Sequence, residues 1–257
     1  MKKMDLQQSI IYGPLLSRRL GLSLGINLLP TARKLCSFDC LYCQYGFTPQ
    51  TVSTDNLSKD FPKTKLILKE IKNYFKEKTT SKNINYITLA GNGEPTLHPD
   101  FAEIVDGIID IRDKYIPTAK LALLSNASTA TNPKICETIK RFDKRIMKLD
   151  AGDKKMFKKI NRANKNIDYD NLVLSLADLA PITLQTLFVE GSVNNTTKKQ
   201  VALLSETYKK IKPENIQIYS LDRTPADEKL KKVSTTKLFD LKKQVMEATS
   251  IPVDVFV

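Results

Sequence analysis

The chain alternates short apolar runs with longer stretches in which apolar side chains recur every three or four positions. That rhythm predicts buried strands separated by amphipathic helices. Strands are predicted at Leu22–Leu28, Tyr86–Ala90, Leu121–Leu124, Arg145–Asp150, Pro181–Val189 and Asn215–Leu221. Helical periodicity falls at Lys65–Lys78, Pro99–Tyr115, Pro133–Arg141, Lys154–Asn161, Ile167–Leu179, Lys198–Ile211 and Thr235–Ala248. In the second of these, Phe101, Ile104, Val105, Ile108 and Ile109 share one stripe behind a proline suited to a first helical turn. A last short strand at Val253–Val257 has no evident pairing partner. Six strand–helix units in series predict an α/β fold with a parallel sheet, either curled into a barrel or laid open as a doubly wound layer. No Gly/Ser- or Pro-rich linker divides the chain. It reads as one domain over residues 1–257, with 1–21 as a lead-in and 229–257 as a C-terminal extension.

Composition narrows the chemistry more than the fold. The 257 residues carry 41 Lys and Arg against 28 Asp and Glu, a net charge of +13, and a single histidine. One histidine excludes three-histidine zinc sites, two-histidine–carboxylate iron sites and His-Glu-x-x-His proteases. A Ser-His-Asp triad has only His98 to build on, and His98-Pro99-Asp100 reads as a helix-start context. The basic residues concentrate at Lys63–Lys82, Lys140–Lys165 and Lys229–Lys243. Such runs are usually solvated faces, but they keep RNA among the candidate substrates. The N-terminus turns polar at once, and no stretch approaches the roughly 18 apolar residues of a membrane span. A cytoplasmic location without a membrane is therefore expected.

Three of the four cysteines fall within eight residues, as Cys36-x3-Cys40-x2-Cys43, and Cys136 stands apart. In a cytoplasmic chain such spacing points to metal rather than disulfides. Two readings follow. An iron–sulfur cubane held by three thiolates keeps one iron open to an external ligand. A structural zinc needs a fourth ligand, from Cys136 or His98, in a non-catalytic protein that docks RNA. Cys136, between Ile135 and Ile139 on a helix, reads as a small buried hydrophobe.

The triplet, with Tyr42 before its last cysteine, resembles the signature of the radical S-adenosylmethionine (SAM) enzymes. Gly91-Asn92-Gly93-Glu94-Pro95, directly after the second predicted strand, is similar to that family's Gly-Gly-Glu-Pro element, with Asn92 in place of the second glycine. Longer stretches resemble the small, mostly uncharacterised group related to the wyosine-forming tRNA enzymes. These are Tyr12 to Gly21 with its Ser17-Arg18-Arg19-Leu20-Gly21 end, Gly91–His98, Asn161-Arg162 and Asp222-Arg223-x-Pro225.

The resemblance implies a partial (β/α)6 TIM-like barrel and a [4Fe–4S] cluster on Cys36, Cys40 and Cys43. It also implies a SAM site formed by Tyr42, Gly91, Asn92, Gly93, Glu94, Ser125, Asn126 and Lys148. Ser125-Asn126 stands where the family has Thr-Asn-Gly, and Lys148 where it often has serine. The chemistry implied is reductive cleavage of SAM to a 5′-deoxyadenosyl radical that takes hydrogen from substrate, fed by an external flavodoxin- or ferredoxin-type electron donor. The substrate stays open: a tRNA or other RNA nucleoside is one candidate and a small molecule another, with activation of a glycyl-radical enzyme as the alternative. The wyosine-forming enzymes carry a second set of cysteines, and here only Cys136 is left over. In such a barrel, strand alternation turns Met147, Leu149, Ile216 and Ile218 toward helices. Lys148, Asp150, Gln185, Gln217 and Tyr219 then face the lumen. An inward Lys148 and Asp150 are costly unless paired or ligand-bound. Arg18 and Arg19 are candidate binders of phosphate or of the SAM carboxylate.

Overall fold

The computed structural model describes residues 4–52, 60–77 and 83–257. The end of the helix predicted at Lys65–Lys78, and parts of the basic run from Lys63 to Lys82, lie outside the described residues.

An antiparallel hairpin of β1 (Ile11–Ser17) and β2 (Gly21–Ile26) starts the fold. Then follow α1 (Thr64–Glu77), β3 (Tyr86–Leu89), α2 (Phe101–Tyr115), β4 (Lys120–Ser125), α3 (Pro133–Lys140) and β5 (Lys144–Lys148). The second half runs α4 (Lys154–Ile160), α5 (Tyr169–Asp178), β6 (Thr183–Leu187), β7 (Val189–Gly191), α6 (Lys198–Ile211), β8 (Asn215–Tyr219), β9 (Leu230–Lys232), α7 (Thr235–Thr249) and β10 (Val253–Phe256). The main sheet has the order β1-β2-β3-β4-β5-β6-β8-β10, and every pair except β1–β2 is parallel.

Two observations decide between the architectures that periodicity left open. The strands follow one another in chain order, whereas a doubly wound sheet reverses order at a switch point. The helices also share one face. Leu24, Ile26, Ile87, Leu89, Leu121, Leu123, Met147, Leu184, Ile216 and Ile218 join helix residues such as Ile67, Ile108, Leu172, Leu204 and Leu241 in one buried core. The alternate positions form a second, smaller cluster, in which Leu20, Ala122 and Ile146 pack with Tyr86 and Leu124. A sheet clothed on one face only must curl to shelter the other, so the fold is a TIM-barrel-like sheet of the partial kind. Each predicted face assignment holds.

The six predicted strand–helix units are present, and the unpartnered last strand extends the sheet by pairing in parallel with β8. Strand β1 escaped the periodicity because Gly13-Pro14 interrupts it and a register shift separates Tyr12 from Leu15. Proline is tolerated there because β1 lies at the sheet edge. The first predicted strand ends at Ile26 rather than Leu28. Asn27 bends the chain by donating through Nδ2 to the Leu29 carbonyl at 2.9 Å. The antiparallel pair β7–β9 is too short to leave a periodic signal.

His98 serves the fold. Its Nδ1 accepts from the Asp100 N–H at 3.1 Å, its Nε2 lies 2.9 Å from the Pro62 carbonyl, and Phe61 packs edge-on against the ring. Burial lowers its pKa below the ordinary 6.5. Below that pH the unfolded chain takes up a proton that folded His98 refuses, so stability falls as pH drops through 6.5 and levels off below the folded-state value. Melting temperature measured from about pH 7.5 to 5.5 is expected to decline, and His98→Gln to flatten that decline.

Candidate functional site

The cysteine loop leaves β2 and is latched onto the turn after β3. The Leu35 N–H donates to the Asn92 carbonyl at 2.9 Å, and the Glu94 N–H donates back to the Leu35 carbonyl at 3.1 Å. Gly93 makes this approach possible. Its φ is +145°, and a Cβ built on it would lie 1.8 Å from the Leu35 carbonyl oxygen. No side chain fits there. Asn27 secures the same turn from below, its Oδ1 accepting the Asn92 N–H at 3.1 Å.

Within the loop, consecutive turns donate Cys43 N–H to the Cys40 carbonyl and Gly46 N–H to the Cys43 carbonyl, both at 3.1 Å. The three thiols remain free, and donors converge on two of them. The Phe38 N–H reaches Cys36 Sγ at 3.4 Å and Asn126 Nδ2 reaches it at 3.6 Å, while Asn161 Nδ2 reaches Cys40 Sγ at 3.5 Å. Burial pushes the Cys36 thiol up, and pushes Cys40 up to about 11. Lys34 is buried beside them, its Nζ donating to the Gly46 carbonyl at 2.8 Å. Burial works to lower the Lys34 pKa, but the sulfurs of Cys43, Cys36 and Cys40 overcome it and hold the ammonium above its ordinary value.

Glu94 is 2% exposed and fully engaged on one oxygen. Its Oε1 accepts from the Thr96 N–H (3.1 Å), Thr96 Oγ1 (2.6 Å) and Ser125 Oγ (2.8 Å). Its Oε2 accepts only from the Asn126 N–H, at 2.6 Å. Burial raises the Glu94 pKa against the pull of these donors. The end of β4 is thereby tied to the turn after β3. Ala127, where the family motif has glycine, still adopts the left-handed φ of 59° that glycine would take, steadied by its N–H donating to Ser125 Oγ at 2.9 Å.

An ionic network lies across the lumen. Asp150 is buried and accepts from Asn161 Nδ2 (2.8 Å), the Leu187 N–H (2.8 Å) and the Tyr42 hydroxyl, and pairs with Lys148 Nζ at 2.9 Å. Lys148 also donates to the Tyr219 hydroxyl at 2.8 Å. Burial disfavours its charge, but Asp150 and Tyr219 outweigh that and raise its pKa. Gln185 Nε2 donates to Gln217 Oε1 at 3.0 Å, so the inward set predicted from alternation meets in space.

Tyr42, Gly91, Gly93, Glu94, Ser125, Asn126, Lys148 and all three cysteines line one cavity of about 560 Å³. Asn92 does not. Its side chain turns away to hold the lead-in, exchanging hydrogen bonds with the Gln7 backbone at 2.8 and 2.9 Å and donating to the Pro30 carbonyl at 2.9 Å. Cys136 sits half-buried on α3 against the core. Sequence reasoning assigned no role to Lys34, Asn27 or Asn161, although Lys34 stands two residues before Cys36. A wider surface cleft of about 960 Å³, lined by Gln8, Arg33, Glu70 and Tyr74 among others, contains none of the cluster or SAM-site residues expected from the sequence.

Among the described residues, no three His, Cys, Asp or Glu side chains converge closely enough for a single metal ion. A cubane differs, because each of its three thiolates binds a different iron. Three thiols on one tight loop with N–H donors aimed at sulfur suit such a cluster. Residues 34–186 match the radical SAM superfamily model, and the chain belongs to that family. Its members are enzymes that pair a [4Fe–4S] cluster with SAM.

The relatives narrow the group. The chain is 31% identical over 256 residues to a Brachyspira hyodysenteriae protein named GTPase Obg, covering 98% of this chain and 36% of that protein. It thus spans about a third of that relative's length. This sequence has no Gly-x4-Gly-Lys-Ser/Thr phosphate loop. With a UPF0026 protein of Helicobacter pylori it shares 29% identity over 234 residues, 89% of this chain and 71% of that one. The fold is similar to that of TYW1, a wyosine-forming enzyme solved with a lysine–pyruvate adduct bound. The TM-score is 0.60 at 16% identity, covering 89% of this chain and 74% of that chain. No helix among the described residues is long and apolar enough to cross a membrane.

Removing one partner of the lumen pair leaves the other charge buried and alone. Asp150→Ala is expected to lower unfolding free energy by about 3–5 kcal/mol. Lys148→Met in the same chain is expected to restore a large part of it, and denaturant unfolding of both variants checks the coupling.

Proposed function

We propose that Cys36, Cys40 and Cys43 hold the [4Fe–4S] cluster, and that SAM lies across the chamber between them and the turn after β3. The reading rests on one observation: the cysteine loop and the Gly91–Glu94 turn are hydrogen-bonded into a single wall of one cavity. When bound, the reduced cluster supplies the electron that splits the SAM sulfonium into methionine and a 5′-deoxyadenosyl radical.

The chain's own residues position and shield. Glu94 Oε2, with one bond made, keeps an acceptor direction for the SAM ammonium. Gly91 and Gly93 let backbone approach the ligand. Asn126 spans both halves of the site, its N–H on Glu94 and its side-chain amide on Ser37 at 2.9 Å and Cys36. Tyr42, pinned through its hydroxyl to Asp150, presents its ring to the adenine. Lys148 uses two of its three donors on Asp150 and Tyr219, which leaves one for the SAM carboxylate or for substrate. Lys34 sets a fixed positive charge beside the thiolates, and charge near a cluster tunes its potential.

We read residues 1–257 as one catalytic domain, fed by an external flavodoxin- or ferredoxin-type donor. Its substrate is read as a tRNA or other RNA nucleoside, for which the net charge of +13 is the support. Comparing modified nucleosides in cells with and without the gene tests the RNA reading, and an unchanged nucleoside profile counts against it.

Anaerobic purification tests the chemistry. The expected result is a brown protein with about four irons that cleaves SAM when reduced with dithionite. A colourless zinc protein without SAM cleavage overturns the reading. Cys40→Ala is expected to lose the iron, and Cys136→Ala to retain it.

A further inference from the structure

The chamber carries more positive charge than SAM has use for. Arg18, Arg19, Lys34, Lys148 and Arg223 line it, against the carboxylates of Glu94 and Asp222. Most of these charges are already answered. Lys34 sits among the thiols, Lys148 pairs with Asp150, and Arg18 pairs with Asp222 at 3.1 Å. Arg19 and Arg223 remain, and neither pairs with a carboxylate among the described residues.

Arg19 is held in an unusual way. Its guanidinium carbon lies 4.8 Å from the Tyr219 ring centroid and 4.3 Å from that of Phe256, so two aromatic rings from β8 and β10 grip it. Aromatic rings satisfy the charge but accept no in-plane hydrogen bonds. Its Nε and Nη2 are buried and have no acceptor among the described residues. Burial also works to lower its pKa, which marks the charge as under-compensated. Those two nitrogens are closed off, whereas Nη1 is neither buried without a partner nor hydrogen-bonded, so the half-buried Arg19 offers this one open edge to the chamber it lines. A guanidinium clamped between two rings with one open edge suits a carboxylate or phosphate group.

That anion does not come from SAM on this reading. The SAM ammonium is assigned to Glu94 in the turn after β3 and its carboxylate to the free donor of Lys148 on β5, so the one anionic group of SAM has its partner without Arg19, which stacks on β8, four strands beyond that turn. The sulfonium of SAM is itself cationic. We propose that the second ligand of the chamber is an organic anion, whose carboxylate or phosphate group is received by Arg19 and by Arg223 at the mouth. The proposal rests on the reading of this chamber as the place where SAM and substrate meet.

Anaerobically prepared protein of known iron content is titrated by calorimetry with inorganic phosphate, acetate and a nucleoside 5′-monophosphate. Sodium chloride at equal ionic strength is the reference. Saturable binding of at least one anion is expected, with Arg19→Gln and Arg223→Gln each weakening it about tenfold or more. Arg223 is exposed, so its variant tests the idea without a folding question. Preference for the nucleotide identifies a nucleotide substrate, and preference for acetate identifies a small carboxylate. No binding beyond the chloride reference, or binding unchanged in both variants, overturns the proposal. Iron-loaded, SAM-cleaving protein that binds none of the three sinks this inference alone. Iron-free protein that still binds anions through Arg19 sinks the radical reading and leaves the anion site standing.

Discussion

The structure depends on a contact with no side chain in it. Leu35 and Gly93 meet backbone to backbone, and the two hydrogen bonds that flank Gly93 join a loop rich in thiols to a turn rich in glycine. Everything the chamber holds in common follows from that contact. It fixes the distance between the cysteines and Glu94, and Glu94 in turn fixes the end of β4 through Ser125 and Asn126. A chain that curls helices around one face of a sheet makes a lumen. Only this latch makes one wall of the lumen into a site.

Charge at the end of β5 is organised by a similar economy of parts. Asp150 alone collects Tyr42, Asn161, Lys148 and the backbone of Leu187. Asn161 then passes the connection to Cys40. An aromatic at the cluster loop, a lysine in the lumen and a cysteine ligand candidate therefore share one buried acceptor. Burial of so many polar groups is tolerable because nearly every one finds a partner, which also fixes each in a single orientation.

How much of this was legible in the sequence varies with the range of the interaction. The parallel core was plain, because residues such as Ile87, Leu121 and Ile216 repeat at fixed spacing against helices with their own period. The inward pair Lys148 and Asp150 was legible from alternation alone, and their ion pair is one of the two outcomes that the cost of burial allowed. Strand β1 was not, since Gly13-Pro14 erases the period. Asn92 was legible as a departure from the family motif but not as a clamp on Gln7, because its partner lies 85 residues away and is held through backbone atoms. The same holds for Asn161, and for the stacking of Arg19 on Tyr219 and Phe256, although Arg19 was legible as a candidate anion binder. Their roles depend on contacts across the lumen, which local spacing does not encode.

One optical consequence follows from the makeup of the chamber. The chain has no tryptophan and nine tyrosines, and four of these, Tyr12, Tyr42, Tyr45 and Tyr219, line the cavity. Tyrosine emission is quenched where the hydroxyl donates to a carboxylate, as Tyr42 does to Asp150. Four of the nine tyrosines thus sit where a ligand can change their surroundings, so the native ultraviolet signal responds to the contents of the chamber without a label.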